Sequence, residues 1–465
     1  MMVKSSIFRA YDIRGIYPKD LNEKTAYQIG RAFAVYLKEN VSLRDISRRE
    51  KILSPEKVVV GRDARSSSPI LARSFIDGLT NEGINVWDIG TATVDVVYFA
   101  SGKYHLPAAM VTASHNPEEW NGFKLMKSNV EFFPPKDLCP YVTSPVGREI
   151  TISFVRKSDD ISKKGEITHE NIKENYLKHI FSFINVDAIR PMRIVVNSSS
   201  DAVNLMLKPV LEKLPIDYVT KKGESDLKYE ITSGHYHFGC SFDTDGDRVV
   251  FIDENGELVN PSIIGAIMVR HFLKKRQYGK VVYGADVSKI VPDVVSAYNG
   301  EPIREKVGHT YISSRLKEVD GIIGIESSGH YYLKDNFYAD SGIISFLIML
   351  EILSGQKKSL STLVLEFSKY FSIPEITFST KGGSASDEKV INQEEFIKNI
   401  AQNFEGYNLD WLDGLTVTTS DFWLNLRSSN TETLVRLNIE ARDEIILNRV
   451  KQDLISLIEK ALSVL

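Results

Sequence analysis

Short apolar runs followed by amphipathic helical stretches recur along this 465-residue chain, and that alternation constrains the fold more than any other feature. Lys57-Val58-Val59-Val60-Gly61 reads as a buried strand leading to a helix over 69–81. A second strand at 84–90 precedes a helix over 93–103, and 108–112 reads as a third strand. Strands separated by helices predict βαβ units and a largely parallel sheet. The pattern returns at 193–197 with a helix over 202–214, at 280–284 with a helix over 290–298, and at 321–325. Three tandem α/β units follow from this. Towards the end, 415–418 and 432–440 read as antiparallel strands before a closing helix over 445–462, an α+β arrangement. Linkers are expected at 156–164, at the turn Asp253-Glu254-Asn255-Gly256 and at 371–384.

At roughly 150 residues per domain, the length predicts about three domains rather than one core. Lys plus Arg number 57 against 61 Asp plus Glu, a net charge of −4 that argues against a nucleic-acid partner. Hydrophobic residues at 43% and charged residues at 25% are ordinary for a folded soluble chain. Cys139 and Cys240 are too few for a disulfide scaffold or a cysteine-based zinc site. The first residues lack the apolar segment of a secretory signal. The longest apolar run, 343–350, is far short of the roughly 20 residues that span a bilayer. The chain reads as cytoplasmic, with no membrane partner.

Four segments carry chemistry. Asp243-Thr244-Asp245-Gly246-Asp247-Arg248 places carboxylates at every second position of a Gly-containing loop, able to converge on one hard cation such as Mg²⁺ or Ca²⁺. A solvated acidic turn is the alternative, but apolar flanks on both sides pin the loop to a strand end. An EF-hand fails, because Arg248 stands where its sixth loop position needs Gly. Thr112-Ala113-Ser114-His115-Asn116-Pro117, leading to Asn121-Gly122-Phe123-Lys124, displays a serine at a strand's C-terminal edge, where α/β proteins place ligands. Taken alone, a capping serine beside a surface histidine accounts for it better than a nucleophile does, and no Gly-x-Ser-x-Gly elbow is present. Gly324-Ile325-Glu326-Ser327-Ser328-Gly329-His330 could bond sugar hydroxyls or be a polar loop. Arg427-Ser428-Ser429-Asn430-Thr431-Glu432 makes an anion cradle or a hairpin turn. His235-Tyr236-His237 has strand spacing, with no third ligand nearby, and reads as structural.

In this order and spacing, from Phe8-Arg9-Ala10-Tyr11-Asp12-Ile13-Arg14-Gly15 to the 427–432 loop, the chain resembles the α-D-phosphohexomutase family, most closely its bacterial phosphomannomutase/phosphoglucomutase branch. The resemblance implies three tandem related mixed-sheet α/β domains plus a C-terminal α+β domain around a central cleft. These would be 1–155 with a phosphoserine loop, 156–255 with a metal loop, 256–370 with a sugar loop and 371–465 with a phosphate loop. It implies that Ser114 is phosphorylated and that Asp243, Asp245 and Asp247 bind one Mg²⁺ together with a phosphoserine oxygen. Arg248 would line the same site, Glu326 and Ser328 would read the sugar, and His330 would end that loop. Arg427, Ser429, Asn430 and Thr431 would hold the non-reacting phosphate, and Tyr11, Arg14, His115, Lys124 and His309 match other active-site positions. Lys124, His115 and His330 are the implied proton carriers.

The implied partners are small hexose phosphates, with a hexose 1,6-bisphosphate as intermediate and activator, in a monomer or homodimer. Glu-Ser-Ser-Gly-His at 326–330 and Asn-Gly-Phe-Lys at 121–124 resemble the mannose/glucose branch. Mannose 6-phosphate and mannose 1-phosphate are therefore the expected pair, with glucose phosphates second. Phosphoglucosamine mutase, or a non-catalytic sugar-phosphate or divalent-ion binding protein on the same scaffold, are the alternatives. Thr433 replaces a common family proline, a family lysine is displaced by one residue around Ser288-Lys289, and Asn197-Ser198-Ser199-Ser200 lacks the usual glycines.

Overall fold

The computed structural model describes residues 3–9, 11–44, 57–132, 134–143, 164–169, 171–223, 227–382, 389–390, 392–429 and 433–463. The chain forms two compact units, Met1–Val259 with Gly329–Leu360, and Asn260–Ser328 with Ser361–Leu465.

The first unit opens with β1 (Ile13–Ile16), α1 (Glu23–Arg44), β2 (Lys57–Arg62), α2 (Ser68–Asn81), β3 (Asn85–Thr91), α3 (Val94–Tyr104), β4 (Ala108–Val111), β5 (Trp120–Lys127), β6 (Glu131–Phe132) and β7 (Ile167–Thr168). Their sheet runs β1-β5-β4-β2-β3-β7, with β6 beside β5. The apolar run of β2 lies parallel to both β3 and β4, and all four of its central residues are buried. Residues 112–119 are too few for a parallel crossover, which needs roughly a dozen, so β5 returns antiparallel to β4. Met110 thereby faces Lys124, and β1 adds antiparallel with Arg14 opposite Gly122.

The same logic repeats in β8 (Met192–Asn197), β9 (Ile216–Lys221), β10 (Phe238–Phe242) and β11 (Val249–Ile252), ordered β11-β10-β8-β9. The parallel trio ends in a short connection, 243–248, that forces β11 to pair antiparallel with β10. In both sheets, then, the candidate loop is the short turn where parallel strands give way to an antiparallel one. The backbone at His235 has φ 51° and β10 starts only at Phe238, so the expected strand spacing of His235-Tyr236-His237 is instead a turn.

Helix Gly342–Gln356 also belongs to this unit and is buried along nearly its whole length. Ser341 caps it, accepting from the Ile344 N–H at 3.1 Å. The Ser341 and Tyr176 hydroxyls donate to Asp95 Oδ2 at 2.7 and 2.6 Å, and Thr93 donates to Oδ1 at 2.5 Å. Burial raises the Asp95 carboxyl above its ordinary range, and these three donors pull it back. One buried carboxylate thus joins α3, the helix Lys173–Phe181 and the start of Gly342–Gln356.

In the second unit, β12 (Lys280–Gly284) lies parallel to β13 (Glu301–Glu305) and β14 (Ile323–Ile325), with helices Pro261–Arg276, Ile290–Ala297 and His309–Glu318. Strands Leu415–Thr418, Phe422–Ser428 and Leu434–Ala441 follow as an antiparallel sheet. Helices Gln393–Ala401 and Glu444–Ser463 contribute Phe396, Leu454 and Ile458 to a core shared with Leu424 and Leu437. The expected linker at 371–384 is largely sheet, since Phe371–Ser372 and Ile376–Ser379 both pair with Leu434–Ala441. Its polar composition hid two short edge strands that sink little more than Phe378. The turn 253–256 is closed by hydrogen bonds, with the Asp253 carboxylate accepting from the Asn255 and Glu257 N–H groups at 2.9 Å. The unit boundary lies after it, at Val259. Most of the linker expected at 156–164 falls outside the described residues.

Replacing Asp95 with Ala strands three buried hydroxyls, and an expected loss of about 2–4 kcal/mol is measurable by denaturant unfolding.

Candidate active site

Ser114 leaves β4 with φ 49°, a left-handed backbone that costs about 1–3 kcal/mol for a non-glycine residue and marks candidate functional positions. Its N–H donates to Thr112 Oγ1 at 2.9 Å, and its carbonyl accepts from Arg65 Nη2 at 2.5 Å and from the Thr244 hydroxyl. So fixed, the side chain points at the acidic loop, with Oγ 2.8 Å from Asp245 Oδ1 and 3.4 Å from Asp243 Oδ2. Gly246, at φ 80°, makes the loop's sharp turn, and its carbonyl accepts from the Gly342 N–H at 3.0 Å. A Cβ on Gly342 would sit 2.8 Å from the Arg248 carbonyl, so that approach requires glycine.

Cations crowd the carboxylates. Lys124 Nζ lies 2.8 Å from Asp245 Oδ2 and 2.7 Å from Asp247 Oδ2. Arg248 Nε lies 3.0 Å from Asp243 Oδ2, and its Nη2 donates to His115 Nδ1 at 2.8 Å, which puts the neutral ring's proton on Nε2. Desolvation, then the charges of Arg248 and Arg14, lower the His115 imidazole to about 4. Burial opposes the Lys124 charge, but Asp245 and Asp247 hold the ammonium well above the usual lysine range. Burial and the neighbouring Asp247 push Asp243 well up, whereas Lys124 and His330 pull Asp247 well down against its burial. His330 Nε2 is 3.4 Å from Asp247 Oδ1 and 3.8 Å from Asp340 Oδ2.

The donor set fits a hard divalent cation. Oxygens of Asp243, Asp245 and Asp247 all lie within 4.8 Å of one another, the serine hydroxyl is beside them, and Lys124 and Arg248 leave one of three carboxylates unbalanced.

Arg14 joins this group from β1, its Nε 2.8 Å from Asp12 Oδ2 and its Nη1 on the Asn116 side-chain oxygen. Ser114, His115, Lys124, Arg14, Arg248, His330 and the three aspartates are thus gathered in the first unit, and Tyr11 stands just ahead of β1. In the second unit Glu326 is buried after β14, and its Oε1 accepts from the Gly308 N–H at 2.8 Å, beside His309 at the start of a helix. Ser328 is exposed on the same loop. Arg427 is buried on Phe422–Ser428, with Nη2 3.2 Å from Asp286 Oδ2, and the Ser429 N–H bonds the Leu434 carbonyl at 2.8 Å. Asn430 and Thr431 lie outside the described residues. Ser288 is buried, its Oγ accepting from the Ile290 N–H at 3.2 Å, and Lys289 gives its N–H to Glu440 at 3.1 Å.

Sequence reasoning missed Arg65. Its guanidinium binds the carbonyls of Ser114, Asn116, Pro117 and Trp120 at 2.5 to 3.1 Å, and Asp63 orients it at 3.2 Å. The one available signal was Gly-Arg-Asp-Ala-Arg at the C-terminal end of β2, where ligand-positioning groups collect.

Family models described as phosphoglucomutase/phosphomannomutase match domain I at residues 5–138, domain III at 260–370 and the C-terminal domain at 391–457. A phosphomannomutase of Methanocaldococcus jannaschii is 32% identical over 98% of each chain. The crystal structure of a phosphoglucomutase/phosphomannomutase family protein from Burkholderia thailandensis superposes with a TM-score of 0.81 at 24% identity, covering 99% of this chain and 98% of that one. Aspergillus fumigatus N-acetylphosphoglucosamine mutase, solved with GlcNAc-6P and magnesium, gives 0.53 at 13% identity over 79% of this chain and 92% of that one.

Arg65→Met removes the clamp while keeping an apolar stem. Amide exchange across 114–120 is expected to accelerate by about tenfold or more, with about 2–4 kcal/mol of stability lost, as hydrogen exchange and thermal unfolding would read.

Proposed function

This chain belongs to the phosphoglucomutase/phosphomannomutase family, and on that premise we propose that it interconverts mannose 6-phosphate and mannose 1-phosphate, with glucose phosphates as second substrates. It is a phosphohexomutase, an isomerase that moves a phosphoryl group between positions of a hexose. One observation carries the finer reading: a serine in a left-handed backbone, aimed at three carboxylates with Lys124, Arg248 and His330 around them.

Ser114, once phosphorylated, gives its phosphoryl to the free O1 of mannose 6-phosphate. The P–Oγ bond breaks and a P–O1 bond forms; the O1 proton goes to a neighbouring base, and the freed Oγ takes a proton from a neighbouring acid. The resulting 1,6-bisphosphate turns over and returns its O6 phosphoryl to Ser114. Phosphoryl transfer asks mainly for positioning and charge neutralisation. Arg65 fixes the loop, while Arg248, Arg14 and Lys124 face the charge; of the proton carriers, the Lys124 ammonium can give a proton and the His115 and His330 imidazoles can take one. Asp243, Asp245 and Asp247 would hold Mg²⁺, which supplies further neutralisation at the transferring phosphoryl. Glu326, Ser328 and His309 would read the sugar, and Arg427, Ser429, Asn430 and Thr431 would take the non-reacting phosphate. The four-domain division at 155, 255 and 370 and a cytoplasmic location belong to the same proposal. Among the described residues no helix is long and apolar enough to cross a membrane.

Ser114→Ala is expected to lower turnover, assayed with a trace of hexose 1,6-bisphosphate, by about a thousandfold or more; near-wild-type activity would refute the phosphoserine. Intact-mass analysis should find one phosphate on Ser114. Chelation should abolish activity and added Mg²⁺ restore it, with Asp245→Asn losing that response. Relative kcat/KM on mannose, glucose and glucosamine 1-phosphates decides the substrate.

A further inference from the structure

The second unit contains a charge arrangement that the sequence did not single out. Arg427 and Arg436 stand directly opposite each other on paired antiparallel strands. Like charges at such positions repel. Glu375 lies between them and takes both: Arg427 Nη2 reaches its Oε2 at 3.0 Å and Arg436 Nη1 its Oε1 at 2.6 Å, while Asn438 Nδ2 steadies Oε2 at 3.1 Å. Asp286 holds Arg427 from the other side at 3.2 Å and accepts from Ser327 at 2.7 Å. Two guanidiniums therefore face two carboxylates, and the cradle is neutral.

The two carboxylates differ in exposure. The Asp286 side chain is 2% exposed and tied to Ser327. That of Glu375 is 25% exposed, on the connection between Phe371–Ser372 and Ile376–Ser379. Arg427 is itself buried, and its Nε makes no hydrogen bond among the described residues, a donor left over for an anion.

We propose that Glu375 is a displaceable counter-ion that competes with the substrate's phosphate for Arg427 and Arg436, and so sets how readily a phosphate leaves the cradle. This rests on reading Arg427 as the phosphate site. A bisphosphate must present each of its ends there in turn, so a cradle that gripped too well would stall the reorientation. Glu375 offers the arginines a second partner of the same charge sign that bridges both, lowering the cost of letting go. It acts as a positioning residue rather than a catalytic one.

The test uses the full chain with Mg²⁺ and a Ser114→Ala background, in which binding occurs without transfer. Calorimetry with mannose 1-phosphate and with inorganic phosphate is expected to show Glu375→Gln binding both about fivefold or more tightly, on the scale of one charge-assisted hydrogen bond. With Ser114 restored, Glu375→Gln should lower KM and kcat together and leave kcat/KM within about twofold, the signature of slowed release. Unchanged or weaker binding in Glu375→Gln overturns the proposal. Arg427→Gln separates the two levels. If it leaves binding intact, the phosphate-cradle reading itself falls; if it abolishes binding while Glu375→Gln fails to tighten it, only the counter-ion role falls. Should Glu375→Gln not fold by circular dichroism, Glu375→Ala is measured under the same criteria.

Discussion

Three carboxylates on one six-residue turn set the terms for everything around them. Two unit charges about 4 Å apart interact by about 4 kcal/mol at an effective dielectric near 20, so an uncompensated trio would cost as much as a domain's whole stability. Lys124 and Arg248 relieve most of this. Their placement follows from backbone geometry. The antiparallel return of β5 brings a lysine back beside the serine loop, and the hairpin after β10 lets Arg248 fold onto its own turn. The carboxylate charge left over would favour a divalent ion at this turn.

The two units handle charge in related ways. In the first, cations balance an acidic cluster beside the Ser114 hydroxyl. In the second, carboxylates balance a pair of arginines beside the loop that carries Ser327. In both, groups of opposite charge lie within hydrogen-bond distance of one another. That is the economy expected of phosphoryl transfer, where the protein contributes mostly fixed charge.

Much of this was legible in the chain. Strand–helix alternation gave the parallel strands, and the acidic turn at 243–248 and the serine loop after β4 were visible because each sits at a strand end with a distinctive residue set. What stayed hidden depends on partners distant in sequence. Arg65 holds carbonyls some fifty residues away, Glu375 meets Arg427 and Arg436 across a sheet, and Asp95 meets Ser341 from another part of the chain. Backbone carbonyls leave no residue signature to recognise. The 371–384 stretch misled because an edge strand with a single well-buried side chain, Phe378, is compositionally indistinguishable from a connector.

The order in which the chain enters its two units has a consequence for biosynthesis. Residues Asn260–Ser328 intervene before Gly329–Leu360 returns to the first unit. A nascent polypeptide that has emerged only to Val259 already carries Asp247 and Asp95 but neither His330 nor Ser341. The ribosome must therefore deliver the Asn260–Ser328 part of the second unit before the first can close, and until then Asp247 lacks His330 and Asp95 lacks the Ser341 hydroxyl.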